Sequence, residues 1–472
     1  MTDSFTSAAD SGSAGVHGIW RRLSAQPHAP NALLLAGGLL LPNLLSLASL
    51  IPIFDVGLPP RSAAIALYAS LAILARRIPL ALTAALFLCL LAFDMVRTLS
   101  LMFHLAPNEL MGALDQATRI HFFASPLYLV LIGTLVMGSL AALACLAQRN
   151  MLMHGNAALL FALALSLAAV DYTRNVSLHY QFGSIVDRDQ RMESAAETSG
   201  FMAAAGANGN NVVMVIVESL GYLLDPAARD RIAAPLFEPN IAKDYVVTAG
   251  HTTYYGSTTS GEMRELCNTR TFYAQFVLKD GDSCLPNLLA ARGYTSIAVH
   301  AFSGGMFQRS RWYPIVGFDR ELFRDELVNA THRVCGSAFR GACDADLAPL
   351  IVAASGQAAQ RGKPRFIYWL TLNTHVPVAP DEALTNFHCE NDGGGFGPPT
   401  VCRMAELWHD VFTVVAKIAR DPAVAPAEIL VVGDHAPPLW SRRGRAQFTP
   451  GEVAWYRLRP RRTSVSSPEM RG

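Results

Sequence analysis

Charge is scarce in this 472-residue chain. Only 16% of its residues are Asp, Glu, Lys or Arg, and 38 Lys and Arg offset 37 Asp and Glu to a net charge of +1. That balance offers no basic surface for nucleic acid. Met1–Pro30 is polar and holds no apolar core, so it does not read as a cleavable signal peptide. No C-x-x-C pair occurs among the eight cysteines, which argues against a zinc knuckle. No internal repeat is visible either.

What the chain has instead is apolar length. Hydrophobic residues make up 51% of it, and the mean hydropathy is +0.26. The excess sits in five near-continuous runs: Ala32–Phe54, Ala63–Ala75, Ile78–Phe93, Pro126–Ala147 and Ala157–Val170. A bilayer span needs about 20 apolar residues, and several runs reach that length. The second and third are shorter. The expectation is an all-α bundle of about five spans over residues 31–171, with buried core helices as the alternative. Arg21 and Arg22, Arg76 and Arg77, and Arg149 fall in alternate loops. By the positive-inside rule these loops are cytoplasmic, as is the segment 1–30. Residues after about Asp171 then lie outside the inner membrane, in the periplasm.

Cysteine placement fits that topology. Cys89 and Cys145 lie in apolar runs, where a small buried hydrophobe is expected. The other six follow the last run. An even number in an oxidising compartment predicts disulfides, and chain order favours 267–284, 335–343 and 389–402.

Residues 172–210 read as a juxtamembrane helix and an Ala/Gly-rich linker. Beyond them the texture changes. Val212–Val217 ends at Glu218, Gly293–Val299 leads to His300, Phe366–Leu372 leads to His375, and Ile429–Val432 leads to Asp434. Apolar strands separated by helical segments predict an α/β domain with a mostly parallel central sheet over 211–458. Parallel strands share a carboxyl edge, and open α/β sheets bind ligands there. The tail, 459–472, is basic and polar.

Four side chains at or near that edge suit a divalent metal: Glu218, Thr258, Asp434 and His435. Thr258 lies in Gly256-Ser-Thr-Thr-Ser-Gly-Glu262, a small-residue loop before a predicted helix. Such a loop brings backbone N–H groups to a phosphate. A bound cation lowers the pKa of a hydroxyl and makes it a nucleophile. Each residue also has a plainer reading. Glu218 alone is a strand-end acid, and the Ser/Thr run alone is a helix cap.

Taken in order, Glu218-Ser-Leu, Gly256-Ser-Thr-Thr-Ser-Gly-Glu262 and Gly433-Asp-His435 resemble the lipoteichoic acid synthase branch of the alkaline phosphatase/sulfatase superfamily. That branch includes phosphoglycerol and phosphoethanolamine transferases. The resemblance makes Thr258 the nucleophile, with Thr259 and Ser260 as neighbouring hydroxyls. It makes Glu218, Asp434 and His435 its metal partners, on one manganese, zinc or magnesium ion. His300-Ala-Phe-Ser-Gly-Gly-Met-Phe-Gln-Arg309, followed by Tyr313 and Gly317-Phe-Asp319, resembles a second element. It implies phosphate contacts from His300 and Arg309 and substrate packing by Phe307. His375, in Thr374-His-Val-Pro377, would bind phosphate or shuttle a proton. The sulfatase nucleophile motif C-x-P-x-R is not met: Cys284-Leu-Pro-Asn-Leu288 fails at its last position. The six late cysteines are more similar to the phosphoethanolamine transferases.

The implied activity moves a phospholipid head group, phosphoethanolamine or phosphoglycerol, through a phospho-threonine to an envelope glycan or lipid. Two alternatives accompany it. One is a phosphodiesterase or phosphatase of the same fold with water as acceptor. The other is an inactive membrane sensor or scaffold.

Overall fold

A computed structural model describes residues 28–182 apart from 106, 108 and 111–116, together with 193–276, 283–359 and 362–461. The N-terminal segment up to 27 and the tail from 462 lie outside the described residues. The chain divides into two compact units, Met1–Thr98 with Leu127–His179, and Leu99–Pro126 with Tyr180–Gly472.

The first unit is helical. Among the described residues four helices are long and apolar enough to cross a membrane: α1 (Ala29–Leu50), α3 (Leu80–Met102), α4 (Pro126–Leu146) and α5 (Ala157–Phe182). Between the first two lies a shorter apolar helix, α2 (Ser62–Leu74). The five runs of the sequence are therefore four long helices and one of 13 residues. Two helices run past the apolar stretches that announce them. Helix α3 continues through Asp94, and α5 continues through Asp171. Both acids are buried, and Arg61 answers both. Its Nε donates to Asp94 Oδ1 at 3.2 Å, its Nη2 donates to Asp94 Oδ2, and its backbone N–H donates to Asp171 Oδ2 at 2.7 Å. A paired charge no longer ends an apolar helix.

The second unit is built on a mixed sheet. Its strands are β1 (Asn211–Val217), β2 (Gly221–Leu223), β3 (Tyr245–Thr253), β4 (Thr295–His300), β5 (Arg320–Leu322), β6 (Arg365–Leu370), β7 (Ala427–Gly433) and β8 (Phe448–Pro460). Their order is β2-β8-β7-β1-β6-β4-β5, with β3 also paired to β8. The five strands from β7 to β5 are parallel, and β8 runs antiparallel to β7, β2 and β3.

Burial explains why the central strands read as unbroken apolar runs. Val213, Val215 and Val217 of β1 pack into one core with the amphipathic helix Pro399–Arg420. Val212, Met214 and Ile216 pack into a second core on the opposite face. A parallel strand covered on both faces has no reason to alternate. Register brings the strand ends level. Val217 pairs with Gly433, and Leu370 is the partner of both Ile216 and His300. The residues that follow these positions therefore gather at one edge.

The three disulfides are Cys267–Cys284, Cys335–Cys343 and Cys389–Cys402. Cys89 and Cys145 are free thiols. Residues of the stretch read as a linker are packed: Ala195, Ala196, Phe201 and Ala205 are fully buried in the second core.

Candidate active site

Glu218 follows β1 and is held by its backbone. Its N–H donates to Thr371 Oγ1 at 2.9 Å, and its carbonyl accepts from Thr374 Oγ1 at 2.5 Å and Trp408 Nε1 at 3.3 Å. These bonds fix the main chain and leave the carboxylate to turn toward the next strand end. Asp434 and His435 follow β7 there. Asp434 Oδ1 accepts from the N–H groups of Ser219 and His435, both at 2.7 Å. Its other oxygen, Oδ2, is buried with no hydrogen-bond partner among the described residues.

His435 completes the group. Its Nδ1 lies 2.9 Å from the Ala436 carbonyl. A carbonyl only accepts, so Nδ1 carries the proton and Nε2 presents its lone pair. That nitrogen is 3.4 Å from Asp434 Oδ2 and 3.7 Å from Glu218 Oε1. One ligand atom from each of Glu218, Asp434 and His435 lies within 4.8 Å of the others. Burial, and then the charge of Glu218, push the Asp434 carboxyl up to about 6. Two buried carboxylates, one imidazole lone pair and an orphaned carboxylate oxygen fit a divalent cation.

Thr258 is the first residue of α7 (Thr258–Cys267), which follows α6 (Pro226–Ala233) along the chain, and is buried. Its Oγ1 donates to Glu218 Oε2 at 3.2 Å and sits 3.4 Å from His435 Nε2. Thr259 points elsewhere: its Oγ1 donates to Glu109 Oε1 at 3.0 Å. Two glycines make the loop possible. Gly256 has φ +67°, and a Cβ there would lie 2.2 Å from Ser260 Oγ. A Cβ at Gly261 would come within 2.9 Å of Asp434, so α7 passes directly over the loop that follows β7.

Glu262, one turn beyond Thr258, is fully buried and receives four hydrogen bonds. Arg309 donates from Nε at 3.1 Å and Nη2 at 2.9 Å, Tyr313 from its hydroxyl at 2.5 Å, and Tyr368 at 2.9 Å. The Arg309 Nη1 donates to the Met306 carbonyl at 3.4 Å. Two nitrogens of the Arg309 guanidinium are thus engaged by Glu262. Phe307 packs on Arg309, 5.4 Å from ring centroid to guanidinium carbon.

His300 is buried and His375 half-buried at the strand ends. The His300 Nδ1 donates to the Leu370 carbonyl at 3.1 Å, and the His375 Nδ1 donates to the Val376 carbonyl at 2.8 Å. Burial, reinforced by Arg309, holds His300 well below the usual range. Burial also brings His375 down to about 4, and the charges of His435 and Asp434 act on it as well. Both rings are neutral at pH 7, with Nε2 as the acceptor nitrogen.

Three groups escaped the sequence reading. Glu109 and His104 come from Leu99–Pro126, a segment between α3 and α4 that packs within the second unit. The His104 ring lies 6.0 Å from that of His435. The only trace of them in the sequence is a short polar interval between two apolar runs. The third is Arg264-Glu265 on α7. Its Arg264 donates to the carbonyls of Gly433 and Asp434 at 2.7 and 3.2 Å.

Residues 210–396 match the family model described as Sulfatase. That family model belongs to the superfamily the motifs resemble, and the match covers less than half of the chain. It ends before Asp434 and His435. No curated protein matches the chain in sequence. Among solved structures, the chain is similar to a lipoteichoic acid synthase, LtaP, from Listeria monocytogenes, at 14% identity and TM-score 0.41, over 53% of this chain and 65% of that one. It is similar to the phosphoglycerol transferase GacH from Streptococcus pyogenes, at 16% identity and TM-score 0.36, over 57% and 78%. A third is the C-terminal periplasmic domain of EcEptC from Escherichia coli, at 14% identity and TM-score 0.35, over 54% and 73%. The chain therefore spans just under two thirds of the length of the first of these.

Proposed function

We propose that this chain is a multi-pass inner-membrane enzyme whose periplasmic domain transfers a phospholipid head group. The group passes through a phospho-threonine on Thr258 to a hydroxyl of an envelope glycan or lipid. The observation that carries this reading is the meeting of Thr258 Oγ1 with Glu218 and His435 at the sheet edge, at 3.2 and 3.4 Å. Apolar N-terminal helices and three disulfides support the location. Glu218, Thr258, Asp434 and His435 would hold one manganese, zinc or magnesium ion. Such an ion supplies neutralising charge for phosphoryl oxygens and lowers the pKa of the threonine hydroxyl.

The protein's own atoms do the rest. Thr258 Oγ1 attacks phosphorus and forms the Thr–O–P bond. The bond from phosphorus to the diacylglycerol oxygen breaks, and that oxygen leaves as an alcohol with a proton. The proton given up by Thr258 faces Glu218 Oε2 in the resting state. An acceptor hydroxyl then attacks the same phosphorus and restores the Thr258 hydroxyl. His300 and His375, neutral and with Nε2 unprotonated, can take the acceptor's proton. The site lies on the same chain as its membrane anchor, which keeps it close to its lipid donor.

Glu109 stands beside the nucleophile loop, its Oε1 3.0 Å from Thr259 Oγ1. Both head groups, phosphoethanolamine and phosphoglycerol, are carried into the test. The test is purified full-length protein incubated with phosphatidylethanolamine or phosphatidylglycerol, followed by mass analysis of the Thr258 peptide. A phosphoethanolamine or phosphoglycerol adduct on Thr258 is expected, and the lipid that yields it names the group. An unmodified peptide despite lipid turnover would overturn the assignment, and rapid head-group release without a glycan or lipid acceptor would make the enzyme a hydrolase.

A further inference from the structure

Helix α7 carries more than the nucleophile. One turn and a half beyond Thr258, Arg264 and Glu265 are both fully buried. Arg264 Nε donates to Glu265 Oε1 at 2.6 Å. The same guanidinium reaches the loop after β7 from its other side, donating to Gly433 O at 2.7 Å and to Asp434 O at 3.2 Å. Glu265 in turn receives the segment that precedes β1. Ser194 Oγ donates to Oε2 at 2.9 Å, the Ala196 N–H donates to Oε2 at 2.8 Å, and the Ala195 N–H donates to Oε1 at 3.2 Å. The links are unbroken from Ser194 to Asp434.

A buried ion pair costs desolvation, so its net stabilisation is small. Its geometry is a different matter. A planar guanidinium bonded to two consecutive carbonyls fixes the peptide planes on which the Asp434 side chain stands. Glu265 sets the orientation of that guanidinium, and three donors from residues 194–196 set the orientation of Glu265. Outer groups of this kind govern metal affinity because they decide where the ligand atoms stand.

We infer that Arg264 and Glu265 are positioning residues for the metal ligand Asp434, and that the segment Ser194–Thr198 is part of the same device. The packed segment after the membrane helices is thereby an element of the active site, and its docking state sets how tightly the metal is held. The inference rests on reading Glu218, Asp434 and His435 as metal ligands.

The experiment uses full-length protein in detergent, stripped of metal and titrated with manganese chloride by calorimetry, with thermal unfolding of the metal-free form in parallel. Asp434→Asn tests the underlying reading and is expected to abolish binding. Glu265→Gln keeps the shape of the side chain and removes its charge. It should weaken manganese affinity by about 10- to 100-fold, the range seen when outer-shell partners are lost. Ser194→Ala removes one donor without stranding a charge. It should weaken affinity by a smaller factor while the unfolding midpoint of the metal-free protein stays put. It decides the matter if Glu265→Gln does not fold. Arg264→Lys, which keeps the charge but cannot span both carbonyls, should behave like Glu265→Gln. Loss of binding in Asp434→Asn with wild-type affinity in Ser194→Ala, Arg264→Lys and any folded Glu265→Gln would overturn the positioning role. Wild-type affinity in Asp434→Asn would overturn the metal-ligand reading itself.

Discussion

Two clusters of buried charge, one in each unit, are built on opposite plans. In the helical unit Arg61 gives two guanidinium nitrogens to Asp94 and its backbone N–H to Asp171, whose other oxygen accepts from Asn175 at 3.0 Å. Every carboxylate there has a donor from the protein. At the edge of the sheet, Glu218 and Asp434 face each other and an imidazole lone pair, and Asp434 Oδ2 has no donor among the described residues. The first cluster is closed, and its chemistry is finished when the chain folds. The second is open, and its charge is left for a ligand. Burial alone does not tell architecture from function; electrostatic closure does.

The sharpest way to break this comparison is at the open cluster. Thr258→Ala should leave folding and manganese binding measurable while phosphoryl transfer falls to background, since Thr258 Oγ1 is the hydroxyl placed between Glu218 Oε2 and His435 Nε2. Transfer at wild-type rate in that variant would remove Thr258 from the mechanism. Glu218→Gln should lose metal and activity together. The matching cut in the closed cluster reads out differently. Arg61→Ala strands the Asp94 carboxylate and should destabilise the full-length protein by about 3–5 kcal/mol. Manganese affinity of the folded fraction should not change. Lost affinity there would mean the two clusters are not independent.

The open cluster was largely legible in the sequence because its residues follow strands that read as buried. Parallel strands covered on both faces give unbroken β-branched runs, and the acids and histidines at their ends stand out. Side-chain direction was not legible. Arg309 occupies the spacing of a phosphate contact, and nothing in that spacing announces that its Nε and Nη2 bond Glu262, one turn past Thr258. Glu109 was hidden for another reason. It is 150 residues from Thr259 and belongs to an interval between two apolar helices. The closed cluster was hidden by the apolar run itself, which ends at Phe93 on composition although its helix continues through Asp94.

Asp344 is a third case that sharpens the contrast. It is buried, and its Oδ2 accepts from the N–H groups of Leu372 and Asn373 at 2.8 and 2.7 Å. Its Oδ1 has no hydrogen-bond partner among the described residues. Burial, opposed by these two N–H bonds and reinforced by Glu218, pushes its carboxyl up to about 7. A lone acid of this kind resolves its burial by keeping a proton. Its value in an unfolded chain is about 3.9, so between roughly pH 4 and 7 the folded state binds more protons. Stability from this group is present at low pH and falls as pH rises through that window, by at most about 1.4 kcal/mol per pH unit. Asp344→Asn keeps an acceptor for both N–H groups and cannot titrate. Its unfolding midpoint, measured from pH 4 to 8, should decline less steeply than that of the parent protein. Parallel curves would show that Asp344 does not hold the proton.

The smallest effect is expected where closure is redundant. Glu262 accepts from Arg309, Tyr313 and Tyr368, so the removal of one phenol hydroxyl leaves the carboxylate with three hydrogen bonds and its counter-charge. Burial and the Glu262 charge hold both phenols well above their usual range, which keeps them as donors at any pH the fold tolerates. Tyr368→Phe should cost about 1.5 kcal/mol, the low end for a hydrogen bond to a charged group. Arg309→Met, which strands the carboxylate, should cost several times more and lower transfer by displacing α7. If Tyr368→Phe were as damaging as Arg309→Met, Glu262 would not be closed by its cation. Its network would then belong with the open cluster at the sheet edge, sensitive to each group that faces it.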